Sequence, residues 1–222
     1  MEGRWLSSLD GVHRFWDIQE SDSYLSETDA EAYMLAGYIY TGFGDYINAA
    51  KYYGMCLAVC KRIGLDNMAV RAAGNLCVIY CYLGDERQAR LYYEEASEKS
   101  EGLPSSQRQY IKHIIEAYLE RKFGSPSKAV TLMKECLHLV QMDKTGNLDE
   151  TAPLSELTEM YEKVGMLDSA LHYLHLYSYV ADEKKQLDMQ TESLRMYMRI
   201  YTFFSDLGKL GDFQRGLKMC GY

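Results

Sequence analysis

The chain has 222 residues and a formal charge of −8, enough length for one good-sized domain or two small ones. That charge argues against a nucleic-acid surface, which needs a Lys/Arg excess to displace counterions, and against docking on an anionic membrane. No apolar run approaches the ~20 residues of a transmembrane helix, and the start "MEGRWLSSLDG" lacks a basic-then-apolar leader. The six cysteines are irregularly spaced, unlike a disulfide framework, which favours a reducing, cytoplasmic compartment.

In chain order, residues 1–29 hold one lone helix, Trp5 to Ile18, which precedes the first complete pair. From there the chain repeats itself. Gly44, Gly84, Gly124 and Gly165 follow one another at intervals of 40, 40 and 41 residues. Five residues after each stands an alanine: Ala49, Ala89, Ala129 and Ala170. Bulky residues (Tyr53, Tyr93, Met133, Leu174) come nine after, and Cys56, Ala96, Cys136 and Tyr177 come twelve after. Four before lie Tyr40, Tyr80, Glu120 and Tyr161, and seven before lie Gly37, Cys77, Ala117 and Thr158.

Each copy reads as a helix pair. A segment such as "AVRAAGNLCVIYCYL" is apolar at helical spacing and free of proline. The glycine ends it in a left-handed conformation. Asp45, Asp85 or Ser125 then caps the next helix, with Pro126 in a tolerated first-turn position. One pair cannot bury its own apolar face, so the pairs must stack, with units at 30–69, 70–109, 110–150 and 151–182. Residues 183–222 add a long helix and an incomplete fifth unit, in which Gly211-Asp212 repeats the anchor and Gly216 replaces the alanine. Neither end shows the polar cap of a finished solenoid, so the chain is read as cut from a longer one, the alternative being packed half-repeats of a complete small protein.

The pattern resembles the tetratricopeptide repeat. The first copy carries it as Gly37, Tyr40, Gly44-Asp45, Ala49 and Cys56, and the second as Cys77, Tyr80, Gly84-Asp85, Ala89 and Ala96. Copies three and four depart from it, with Glu120 in place of tyrosine and Met166 in place of aspartate. The resemblance covers residues 30–182 and implies an all-α, right-handed superhelical solenoid of antiparallel helix pairs. It also implies a non-enzymatic protein- or peptide-binding module, as in adaptor scaffolds and in the sensory part of larger signalling or transcription-regulatory proteins.

In that family, ligands lie along the concave face formed by the first helix of each pair. The matching positions here are Met34 and Tyr38 in the first unit, and Arg71, Asn75, Val78 and Tyr82 in the second. The third contributes Ile111, Ile115, Tyr118 and Lys122, and the fourth Glu159. The middle of this set is apolar and aromatic and its flanks are polar, which suits an amphipathic helix or an extended peptide. The carboxylate clamp of chaperone-binding members is not expected, because Met34, Ile111 and Ile115 fill its basic positions and only Asn75 matches.

No catalytic or cofactor motif is present. "GFGDYI" has Ile47 where a dinucleotide loop needs its third glycine, and no strand precedes it. Cys56/Cys60 and Cys77/Cys81 have a spacing that zinc accepts, but three of the repeat's small-residue slots are cysteine, so core packing is the better reading. His138, His172 and His175 read as polar residues of a convex face. Neither a cofactor nor a metal is therefore expected. The alternative function is a self-associating scaffold, homodimeric through the terminal helices, with Leu187, Leu194, Tyr201 and Phe204 on one face.

Overall fold

The computed structural model describes residues 25–206, and within them the chain is helical throughout, with no strand. The Trp5–Ile18 helix and the Gly211-Asp212 anchor lie outside the described residues, as does the side chain of Phe204. The helices are α1 (Glu27–Gly42), α2 (Tyr46–Ile63), α3 (Asp66–Leu83), α4 (Glu86–Lys99), α5 (Ser105–Phe123), α6 (Pro126–Met142), α7 (Thr151–Lys163), α8 (Leu167–Glu183) and α9 (Leu187–Asp206). The chain divides into two compact units between Glu135 and Cys136, so α6 begins in the first and ends in the second. Among the described residues no helix is long and apolar enough to cross a membrane.

The first unit begins with a capping box. The Ser26 hydroxyl accepts from the Asp29 amide at 3.3 Å, and the Asp29 carboxylate accepts from the Ser26 amide at 2.6 Å. Gly44 and Gly84 then take φ of 75° and 79°, a region that costs any residue with a Cβ about 1–2 kcal/mol. Asp45 and Asp85 cap the helices that follow, accepting from the amides of Asn48 and Gln88. Such short turns make the paired helices antiparallel.

In the first unit α1, α3 and α5 form one layer. There α2 packs on α1 and α4 on α3, and α2 and α4 also pack on the first helix that follows. The small-residue positions explain the close approach. A Cβ built on Gly37 would stand 2.4 Å from the Tyr53 ring, so the buried tyrosine of α2 fills the space that glycine leaves on α1. Ala49, Cys56, Cys77, Ala89 and Ala96 are all fully buried in the same core.

A second rule ties three of the helix pairs together. Tyr40 stacks on Tyr52 at 5.2 Å and Tyr80 on Tyr92 at 5.5 Å, and in the second unit Tyr161 stacks on Tyr173 at 5.6 Å, all nearly parallel. These are the positions four before and eight after each anchor glycine, worth about 0.5–1.5 kcal/mol per pair beyond the area they bury.

The third copy solves the same turn differently. Gly124 is not left-handed there: its φ is −127°. The Glu120 carboxylate folds over the turn, accepts from the Ser125 amide at 2.9 Å and pairs with Lys128 at 2.8 Å. An added Cβ on Gly124 would lie 2.1 Å from that carboxylate and 3.3 Å from the Glu120 Cα, so glycine leaves room for the side chain to fold over the turn. The expectation of a left-handed glycine is corrected at this one anchor, because the charged side chain stands where the stacking tyrosine would be and closes the turn, while Ser125 still caps α6 by accepting from the Lys128 amide at 3.4 Å.

In the second unit α7 packs on α8 and α8 on α9, around Leu154, Leu174, Met196 and Ile200. Gly165 is left-handed, with φ of 74°. Met166 offers no side-chain cap, as its chemistry requires. Arg199 of α9 instead clamps Glu162 of α7 in a bidentate pair at 2.7 Å.

Candidate functional site

The layer of α1, α3 and α5 carries most of the residues singled out for ligand contact, and the structure separates them into support and surface. Met34 and Ile115 are buried, 5% and 2% exposed. The expectation that they line a contact surface is corrected: each faces the helix packed beside it and belongs to the core. Val78, Ile111 and Tyr118 are half-buried, the last two packed against that core. Asn75 is half-buried and turns its side-chain amide toward the Met34 sulfur at 3.5 Å, a bond across to the neighbouring pair.

The exposed members are Tyr38, Arg71, Tyr82 and Lys122. Arg71 reaches from α3 to α1 and donates to the Tyr38 hydroxyl at 3.2 Å. Arg121 reaches from α5 to α3 and donates to the Tyr82 hydroxyl at 3.5 Å. Its guanidinium also lies over the rings of Tyr82 and Tyr118, 5.8 and 5.2 Å from their centroids. Two arginine–tyrosine links therefore bridge three successive first helices. They hold cationic groups on a surface with exposed Leu35 and Leu83 close by in sequence.

Rings behind this surface fix it. Tyr38 packs edge-on against Tyr53 at 5.7 Å, and Tyr53 shares a 3.3 Å hydrogen bond with Thr41. Burial pushes the Tyr53 phenol well above the usual tyrosine range, so it stays neutral. Tyr46, the first residue of α2, stacks on Tyr82 at 4.8 Å. Sequence reasoning left out Tyr46 because it lies beyond the first helix of its unit. Arg121, next to Lys122 on α5, is a second residue that the sequence reading does not single out. A basic residue one turn from an aromatic on the same helix was the signal for Arg121.

Glu159 lies on α7 in the second unit, 3.8 Å from Lys163. Among the described residues no group of three or more His, Cys, Asp or Glu could hold a metal ion. His175 bonds the Tyr197 hydroxyl at 2.7 Å and His172 packs edge-on against Tyr173. Burial lowers the basicity of His175, so it is neutral at pH 7. Cys56 and Cys60 are buried with their sulfurs 3.9 Å apart, and burial pushes the Cys56 thiol up to about 12, far from a reactive thiolate.

No family model matches the chain, and no curated protein matches it. Among solved structures it is similar to BtubC (BKLC) from P. vanneervenii. That similarity has 18% identity and a TM-score of 0.56 over 83% of this chain and 76% of that one. At that identity the likeness is one of all-helical fold alone.

Proposed function

We propose that this chain is a tetratricopeptide-type solenoid that works by non-covalent binding, taking a protein or peptide segment along α1, α3 and α5 of its first unit. The observation that supports this most is the pair of arginine–tyrosine links, Arg71 to Tyr38 and Arg121 to Tyr82, set across neighbouring first helices. Tyrosine offers large area and a hydroxyl at low entropic cost, and an arginine held on a ring is prepaid in conformation. A guanidinium has five donors, and the bond from Arg71 to Tyr38 uses one.

The ligand class follows from charge. Arg71 and Arg121 set positive charge directly against Tyr38 and Tyr82, with Lys122 exposed next to Arg121 in sequence, on a chain whose net charge is −8. A segment with acidic side chains next to an aromatic or aliphatic anchor complements it, with the anchor on Tyr38 and Tyr82. No catalytic residue or cofactor is needed for this role. The sensory or adaptor part of a larger regulator, in a reducing compartment, is the setting that suits it.

Selection of a displayed random-peptide library on the intact chain tests the proposal. Enrichment of sequences that join an acidic residue to an aromatic or leucine supports it. No enrichment, or a basic consensus, overturns it.

A further inference from the structure

Helix α9 is apolar on two opposite sides. Met189, Met196 and Ile200 are buried in the second unit, with Ser193 among them. On the far side Leu187, Leu194 and Met198 stand 59%, 63% and 71% exposed. With Thr191 they follow the i, i+4, i+7, i+11 spacing of a single helical stripe. The sequence expectation placed Tyr201 on this face. It is half-buried and packs on the core instead, and Met198 takes its place.

The charges beside the stripe say what covers it. Asp188, Glu192, Arg195 and Arg199 run along one flank, acidic over the first half of the helix and basic over the second. In an antiparallel pair of identical helices related by a two-fold axis, each flank meets the same flank of its copy. The order acidic, acidic, basic, basic is its own complement when reversed. Glu192 then meets the partner's Arg195, and Asp188 meets the partner's Arg199, each contact occurring twice. Arg199 already clamps Glu162 through Nε and Nη2, and Arg195 pairs with Glu192 of its own helix at 3.3 Å; this second pair is exposed, so an interface exchanges it for two Glu192–Arg195 pairs between copies, which carry most of the register.

We propose that the exposed face of α9 pairs with α9 of a second copy of this chain, antiparallel about a two-fold axis near residues 193 and 194. Leu194 meets its own symmetry mate at the centre, and Leu187 meets the partner's Met198 toward each end. One helical stripe buries less than a standard interface, so the association is weak and the mass depends on concentration.

The test is sedimentation equilibrium of the intact chain over a range of concentrations, with helix content by circular dichroism to show that every variant folds. The wild-type mass should rise from 25.6 kDa toward twice that value. Leu194→Glu should hold it at the monomer value. Glu192→Arg alone and Arg195→Glu alone should each be monomeric, because each sets like charges face to face. An equimolar mixture of these two variants should associate again, since each then meets the opposite charge. A wild-type chain that stays at 25.6 kDa would mean that the stripe is covered within the chain or by a different protein, and overturns the proposal. A mixture that fails to associate overturns it equally.

Discussion

Replacing Gly37 by alanine should destabilise the first unit, although alanine is the better helix former. In an open helix interior the change gains about 1 kcal/mol. Here the new methyl would stand 2.4 to 2.8 Å from three atoms of the Tyr53 ring. The ring has nowhere to retreat: it is 2% exposed, abuts Tyr38 at 5.7 Å and is tied to Thr41. Overpacking of this kind costs about 1–3 kcal/mol, with the upper half expected for a contact this short, so the net loss is about 1–2 kcal/mol. Gly54→Ala on α2 is the matched control, because a Cβ there meets nothing within 4 Å, and it should gain up to about 1 kcal/mol. The two variants should thus differ by about 2–3 kcal/mol, a gap of roughly 1 M in urea midpoint at a typical slope. Urea unfolding of both, followed by circular dichroism, reads this directly. Equal midpoints would refute the close-approach argument and the claim that the small residues set the helix spacing.

The remaining expectations rest on separate features. Gly124→Ala should be clearly less destabilising in a Glu120→Ala background than in the wild type, because the closest clash is with that carboxylate and only the 3.3 Å approach to the residue 120 Cα remains; a double-mutant cycle on urea midpoints measures the coupling. Burial holds the Tyr177 phenol up to about 12, above the 10.0 of an exposed tyrosine. The unfolded chain therefore loses that proton first, and stability should be full below pH 10 and decline as pH rises toward 12, which denaturation midpoints against pH would show. In a Cys220→Ser variant a thiol reagent at neutral pH should label essentially no cysteine until denaturant is added, since Cys56, Cys60, Cys77, Cys81 and Cys136 are all buried. Rapid labelling of the native chain would contradict that core.

Turns were the most legible part of the sequence. A glycine followed by aspartate, between two proline-free apolar segments, can do little but end one helix and cap the next. Gly44 and Gly84 behave that way, with left-handed φ and capping aspartates. The small residue seven before the anchor and the bulky one nine after were legible as recurring positions, and the contact of Gly37 with Tyr53 shows why they recur together. Glu120 marked a departure without revealing its nature, because a carboxylate reaching over a turn to Ser125 and Lys128 leaves no periodic trace.

The candidate surface was legible only in outline. A fixed set of first-helix positions picks out Tyr38, Arg71 and Tyr82, but it also picks out Met34 and Ile115, which the neighbouring helices cover. Exposure at those positions depends on how far each helix is rotated, and one heptad-like offset cannot carry that for three helices at once. Tyr46 was out of reach for a different reason: it joins the site from α2 by stacking, a contact set by the turn and not by spacing along α3.

The most direct test of the central claim is calorimetric titration of the intact chain with an enriched acidic–aromatic peptide, comparing wild type with Tyr82→Ala, Arg71→Ala and, as a control outside the layer, Leu176→Ser on α8. Tyrosine and arginine anchors at a contact surface typically cost more than 1 kcal/mol when truncated, so each of the first two should weaken binding by about tenfold or more and the control should not. Undiminished affinity in both Tyr82→Ala and Arg71→Ala would contradict the account and move the binding surface off α1, α3 and α5.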